Sequence, residues 1–311
     1  MEVQVDMKRR FTVIIATYNR EDYLRQAIES VLAQKFTDYE FIVVDDGSTD
    51  RTQEIIRSYA TKIKNIRQEN QGSEMAYKTG VSHADGEYMA FLDSDDYFFP
   101  NALAIYDRII RKLDSPPLII GAMIRFWEGQ NAPTEIGESS VIEVQKYRDY
   151  LSKDVLIGLA QSRIVMQKSL FEKAYGPQGN TTPCLLNDYN LMLQAGIYGP
   201  CVIAKQPVTI AYRQHTSQGS RNIEKMAEGV LSLVNMVRRG HCSGGRSRLL
   251  EKYAFLGGPV YEWGSKALKT HRPMLAFRVL IKGGPMVMVA MLRKLSFLFR
   301  RYAASISIAN D

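Results

Sequence analysis

Three apolar runs, each ending in polar or acidic residues, constrain this chain most. Phe11–Thr17 is apolar and β-branched and runs into Thr17, Tyr18 and Asn19. Phe41–Val44 runs into Asp45 and Asp46, and Tyr88–Leu92 into Asp93-Ser94-Asp95-Asp96. Apolar runs this short, without alternation, suit strands buried on both faces of a sheet. Helical spacing separates them. Tyr23/Leu24, Ala27/Ile28 and Val31/Leu32 recur every three to four residues, with Glu21 and Asp22 at the positive end. Asp45–Asp50 is turn chemistry that opens a helix carrying Ile55, Ile56 and Tyr59. Residues 74–84 and 101–113 also read as helices, and Leu118–Phe126 as a strand.

Strand–helix alternation of this kind implies an α/β fold with a largely parallel sheet. Such sheets bind ligands at the carboxyl ends of their strands, where all three polar clusters fall. Farther on, residues 127–155 suggest loops or edge elements. Ile164–Ala174 and Asn187–Ala195 look helical, Val208–Arg213 looks like a strand, and the pattern is helical from about 222 to the end. With 45% hydrophobic and 23% charged residues, the 311-residue chain is ordinary globular material rather than disordered, collagenous or coiled-coil. Three cysteines (Cys184, Cys201, Cys242), without paired spacing, make neither a disulfide scaffold nor a zinc site and suggest a reducing compartment.

Three carboxylates in four residues, Asp93, Asp95 and Asp96, are costly to bury unless a cation neutralises them. Mg²⁺ or Mn²⁺ typically takes one or two carboxylates plus substrate phosphates, so a metal–diphosphate site fits. A solvated acidic turn capping the helix after Pro100 also fits. Asp45 and Asp46 suit hydrogen bonds from a base or ribose, or equally an Asx-turn and helix cap. Tyr18 suits stacking on a base, or packing at a strand end.

The segments Val13–Arg20, Ser30–Gln34, Phe41–Asp50, Asn70–Gly72, Ala84–Tyr88 and Phe91–Asp96 stand in an order and spacing that resemble family 2 glycosyltransferases. These are inverting enzymes with the GT-A nucleotide-sugar-binding fold, Rossmann-like with a mostly parallel central sheet. The resemblance implies Thr17 and Tyr18 against the nucleotide base, and Asp46, with Asp45, on the base or ribose. It implies Asp93 and Asp95 as the D-x-D pair. Asp95 would be the direct ligand of Mn²⁺ or Mg²⁺, with Asp93 near the ribose or sugar, and the metal would stabilise the departing nucleoside diphosphate. Asn187-Asp188-Tyr189 resembles the family's Glu-Asp pair at a helix start, with Asn187 in place of Glu and Asp188 as the general base. Tyr212-Arg213-Gln214-His215 resembles its Tyr-Arg-x-His segment, which would bring His215 to the metal or diphosphate. Arg221 could also contact phosphate. Where many relatives carry Ala-Arg-Asn, this chain has Ala76-Tyr77-Lys78, and Lys78 offers a charge to the diphosphate or is a solvated helix residue.

The net charge of +7 is uneven. Residues 238–311 hold 14 Lys/Arg against 3 Asp/Glu, or +11, and residues 1–237 hold 26 against 30, or −4. Basic residues interleave with aliphatics over 273–302, as in a helix lying on an anionic membrane or in a helix pair with solvated cations. Few aromatics accompany them, so nucleic acid is not an expected partner. The polar stretch Met1–Arg10 suggests no signal peptide, and no run of about 18 uninterrupted apolar residues suggests a spanning helix.

The expectation is a GT-A domain over 1–220 and a helical basic region over 221–311. The activity would be transfer from a nucleotide-sugar, by resemblance a UDP-sugar, to a glycan or lipid-linked acceptor in surface polysaccharide synthesis. The location would be cytoplasmic, at the inner face of the membrane. A catalytically weak nucleotide-sugar-binding scaffold is the alternative that Asn187 favours. A nucleotidyltransferase would show a Gly-rich basic phosphate loop near the first strand, which Thr17–Arg20 does not resemble.

Overall fold

The computed structural model describes residues 9–130, 141–153, 157–175, 186–299 and 305–309, with backbone alone at 296–299 and 305–309. Cys184, most of Met1–Arg10 and Arg300 and Arg301 of the basic tail lie outside the described residues.

Strands β1 (Phe11–Thr17), β2 (Tyr39–Asp45), β3 (Lys64–Arg67) and β4 (Tyr88–Asp93) run parallel, with β1 between β2 and β4 and β3 outside β2. Every residue of β1 is buried, because successive side chains enter opposite cores. Phe11, Val13 and Ile15 face one core with α1 (Leu24–Leu32), α2 (Thr52–Ser58) and α4 (Ala102–Lys112). Ile14 and Ala16 face the other, with α3 (Ser73–Ser82), α5 (Lys168–Tyr175) and α6 (Asn187–Ala195). In α1, Leu24, Ala27, Ile28 and Val31 form the buried stripe that the spacing predicts. At Gly80 of α3 a Cβ would meet Ile14 Cγ2 at 2.5 Å, so the absent side chain sets how closely helix and strand approach.

The further strands are β5 (Tyr97–Phe98), β6 (Leu118–Ile120), β7 (Met123–Trp127), β8 (Val141–Tyr147), β9 (Ile164–Gln167), β10 (Cys201–Gln206), β11 (Ile210–Gln214) and β12 (Ser305–Ala309). The main sheet has the order β12-β8-β10-β6-β9-β4-β1-β2-β3, and a small second sheet the order β5-β11-β7. This is the α/β, mostly parallel, GT-A architecture that the sequence implies.

Several elements differ from the sequence reading, for local reasons. The run Leu118–Phe126 is two strands in different sheets. The chain breaks at Gly121, where a side chain would collide with Tyr106 and Thr209. Ile164–Gln167 is a strand, antiparallel to both β4 and β6, and the helix begins only at Lys168. The 127–155 stretch contains β8, one strand in from the sheet edge. The helical C-terminal pattern ends in β12, paired antiparallel with β8.

Three helices follow the sheets: α7 (Ile223–Arg239), α8 (Leu249–Lys269) and α9 (Pro273–Phe299). Asn222 caps α7 by accepting from the Lys225 amide, and Gly240, at φ +74°, ends it in a left-handed turn. Ala227, Val230, Val234, Leu256, Val260 and Val279 form their shared core, which takes in Leu193 of α6 and Leu186 just before it. The helical unit is thereby seated on the helix that carries Asp188. The expected boundary near 220 falls in the single turn Gly219–Arg221 that precedes α7. In contrast to the expectation of no spanning segment, Pro273–Leu295 is long and apolar enough to cross a membrane by length and composition. Arg278, Lys282, Arg293 and Lys294 punctuate this stretch without overturning the hydropathy of its apolar part.

Candidate active site

Register brings the polar clusters together. Thr17 lies opposite Asp45 across β1 and β2, and Ala16 lies opposite Asp93 across β1 and β4. The carboxyl ends of three neighbouring strands therefore share one edge of the sheet.

On the β1–β2 side the acids order their own loops. Asp45 is fully buried; its Oδ1 accepts from the Ser48 amide at 2.9 Å and its Oδ2 from the Gln53 side chain. Asp46 Oδ1 accepts from Gln68 Nε2 at 2.7 Å and the Gln71 amide at 2.9 Å, and Oδ2 from the Gly72 amide at 2.8 Å. The carboxylate thus folds residues 68–72 back over the strand end. Gly47 at φ +80° lets that chain pass, since a Cβ there would stand 3.0 Å from the Asn70 nitrogen. Thr17 is buried with its Oγ1 unpartnered, and Tyr18 is 42% exposed beside it.

On the β4 side the acids face one another. The chain turns sharply after Asp93, whose carbonyl accepts from the Asp96 amide at 3.1 Å. Asp93 Oδ1 accepts from Tyr77 Oη at 2.8 Å. Ser162 Oγ lies 3.3 Å from Asp93 Oδ2 and 2.6 Å from Asp96 Oδ2, and it accepts from the Asp93 amide at 3.0 Å. Asp96 Oδ1 accepts from the Arg213 amide at 2.9 Å. Burial and then the Asp95 charge push Asp93 up to about 7, and the same two causes push Asp96 well above the usual carboxylate range.

β5 follows this turn and pairs antiparallel with β11, in register Ile210↔Phe98 and Ala211↔Tyr97. The pairing lays Tyr212–His215 along the acids. His215 is buried; its Nε2 stands 3.0 Å from Asp95 Oδ2, its Nδ1 2.8 Å from Ser217 Oγ, and its ring 4.4 Å from the Tyr23 ring. Arg20 Nε is 3.7 Å from the same Asp95 oxygen, and Arg213 Nε donates to the Asp95 carbonyl at 2.9 Å. The Tyr212 phenol is raised by burial and then by Asp96, Asp93, Asp95 and Asp188, so four carboxylates bear on one hydroxyl.

Asp188 stands in the first turn of α6, where its Oδ1 accepts from the Tyr189 amide at 2.8 Å. Burial raises it to about 6, and its charge adds to the upward push on Asp93. Asp93, Asp95, Asp188 and His215 are therefore brought together. Lys78 is not. Its Nζ pairs with Glu74 Oε1 at 3.0 Å and sits over the Tyr175 ring, 4.2 Å from the centroid. Asn187 donates to Ser73, tying α6 to the start of α3.

Sequence reasoning gave no role to Tyr77, Ser162 or Tyr212. Tyr77 stands in the segment that departs from the family pattern, which was its signal. Ser162 precedes β9 with no motif around it. Among the described residues no three His, Cys, Asp or Glu side chains form a ready-made metal cage. The donor set still fits a hard divalent cation that completes its shell with substrate phosphates: Asp95 and His215 lie side by side, and the neighbouring carboxylates repel one another unneutralised.

Known proteins resemble this chain in sequence and in fold. The profile of Glycosyl transferase family 2 matches residues 12–172. An uncharacterized glycosyltransferase of Rickettsia conorii is 31% identical over 220 residues, which is 70% of this chain and 36% of the relative. The chain thus spans about a third of the length of that relative and of its Rickettsia felis counterpart. Glycosyltransferase GlyA of Streptococcus pneumoniae is 37% identical over 105 residues, 32% of this chain and 15% of GlyA. Among solved structures, residues 1–349 of S. aureus TarS in complex with UDP-GlcNAc superpose with a TM-score of 0.55 at 17% identity, covering 94% of this chain and 93% of that fragment. The mannosyltransferase PcManGT of Pyrobaculum calidifontis, in complex with GDP-Man and Mn²⁺, gives 0.52 at 17% identity over 93% and 88%.

Proposed function

The chain belongs to glycosyl transferase family 2, and from that premise we propose that it moves a sugar from a nucleotide-sugar to a hydroxyl of a glycan or lipid-linked saccharide, with inversion at the anomeric carbon. The observation that carries this reading is the gathering of Asp93, Asp95, His215 and Asp188 at the carboxyl edge of the sheet.

Asp95 and His215 are the residues that would hold Mn²⁺ or Mg²⁺, and the chemistry such an ion supplies when bound is neutralisation of the charge that grows on the departing diphosphate. Asp93, held by Tyr77 and Ser162, would meet the ribose or sugar hydroxyls. Thr17 and Tyr18 would border the base, and Asp46, with Asp45, would shape that side through the Gln68–Gly72 loop. Lys78 reaches the diphosphate only if it leaves Glu74. Asp188 takes the acceptor proton. As the acceptor oxygen bonds to the anomeric carbon, the bond to the phosphate oxygen breaks and the nucleoside diphosphate leaves. A base held near 6 is ionised at neutral pH yet basic enough to share a proton as the hydroxyl attacks.

Transfer is assigned to residues 1–220 and contact with the inner face of the cytoplasmic membrane to 221–311, in a role in surface polysaccharide synthesis. UDP is the proposed nucleotide. The test is donor consumption and product formation with UDP-, GDP- and dTDP-sugars, for the wild type and for Asp95→Ala and Asp188→Asn. Loss of transfer in both variants is expected. Full activity in both would sink the assignment, and donor binding without turnover in the wild type would favour the scaffold alternative.

A further inference from the structure

Helix α9 has two apolar faces. One, with Ala276, Val279 and Met286, is buried against α7 and α8. The other, with Met274, Phe277, Ile281, Met288, Leu292 and Leu295, is 53–74% exposed. At about 100° per residue these six fall within an arc of roughly 60°, opposite the buried face, along roughly 30 Å of helix. A helix of a globular protein carries one apolar stripe toward its core. A second one, exposed over this length, marks a contact surface.

Charge identifies what covers it. The charged residues of α9 are Arg278, Lys282, Arg293 and Lys294, all basic, within a region of net +11. Self-association through this face would set one cationic helix against another. An apolar layer rimmed by anions, the headgroup–acyl boundary of a membrane with acidic lipid, matches both features.

Packing decides how α9 meets that boundary. A Cβ on Gly264 would lie 2.6 Å from Leu280, one on Gly257 would meet Ala290 and the Met286 carbonyl, and one on Gly283 would meet Val260. α8 and α9 are therefore closely set. Arg278 reaches Glu228 of α7 at 2.9 Å, and Arg293 donates to the Leu151 carbonyl at 2.8 Å. Crossing the bilayer would strip α9 from these partners or carry Glu262 and Lys266 of α8 into hydrocarbon.

We propose that α9 lies in the plane of an anionic membrane, with the Met274–Leu295 stripe in the headgroup–acyl boundary, as an interfacial and not a spanning helix. This deepens the surface contact assigned above to residues 221–311. Because α6 shares the core of the helical unit, the helix bearing Asp188 is tied to the membrane-bound one.

The full chain is sedimented with vesicles of phosphatidylcholine alone and with a third phosphatidylglycerol. Binding to the anionic vesicles alone is expected, weakened at least about tenfold in an Ile281→Ser, Met288→Ser, Leu292→Ser triple variant whose melting temperature is unchanged. Phe277→Trp fluorescence should shift to the blue on binding and be quenched by brominated acyl chains. No binding, equal binding by the triple variant, or a lipid-free dimer dissolved by the same substitutions would overturn the proposal. Retention after alkaline carbonate extraction would also overturn it, in favour of a span. No nucleotide is present, so failure here leaves the transferase reading untouched, and failure of donor binding leaves this one untouched.

Discussion

Asp188 carries a conflict between chemistry and stability that one substitution exposes. Its carboxyl is raised to about 6 by burial, from an ordinary value of 3.8. A raised folded-state pKa means that the native protein binds the proton more tightly than the unfolded chain does. The stabilisation linked to that proton is complete below about pH 4 and is lost as pH rises through 6. Above pH 6 the ionised group burdens the fold by up to about 3 kcal/mol, and by less to the extent that solvent reaches it. Asp188→Asn keeps the shape and the acceptor for the Tyr189 amide while removing the charge. It should therefore raise the melting temperature at pH 7.5, by several degrees at most, with the gain vanishing near pH 4. The same change removes the general base, so kcat should fall about 10²–10⁴-fold with donor affinity retained. In the wild type the rate should decline on the acid side of about pH 6, roughly tenfold for each further unit. Melting curves from pH 4 to 8 and rate profiles over the stable range test this together. A variant that melts lower at pH 7.5 and still transfers sugar at the wild-type rate would refute the reasoning.

Tyr77→Phe keeps the ring contact with Phe91 and deletes the hydrogen bond to Asp93. A charge-assisted bond inside the fold is worth about 1.5–3 kcal/mol, so the melting temperature should fall by several degrees, and donor KM should rise in initial-rate assays as Asp93 loses its fixed orientation. Ser162→Ala frees Asp93 and Asp96 from their shared hydroxyl, and loss of the metal-dependent part of donor binding, read by calorimetry, is expected. Gly80→Ala drives a methyl into Ile14 and should cost about 1–3 kcal/mol in denaturant unfolding without changing KM.

The sheet was legible because β1, β2 and β4 are buried on both faces and so read as unbroken apolar runs. β3 is a largely exposed edge strand and β5 has only two residues, so neither leaves a pattern. The Leu118–Phe126 run concealed a break at Gly121, where a side chain would collide with Tyr106 and Thr209. In the site, Asp93, Asp95, Asp188 and His215 were visible as motif members. Their convergence depends on the pairing of β5 with β11 and on where α6 packs, which no local pattern encodes. Asp45 and Asp46 show the reverse case. Their positions were evident, but whether they face a ligand or their own loops turns on amides at Ser48, Gln71 and Gly72.

Everything proposed for the site turns on Asp95 and His215 holding a divalent cation against the diphosphate of a sugar nucleotide. The most direct test is the melting temperature of the purified chain with each nucleoside diphosphate and sugar nucleotide, with and without Mn²⁺. Ligand at about a hundredfold over Kd should stabilise the protein by about 2.7 kcal/mol, a shift of several degrees. Such a shift is expected for one base, dependent on Mn²⁺ and absent in Asp95→Ala. No shift with any nucleotide, or one indifferent to both Mn²⁺ and the substitution, would contradict it.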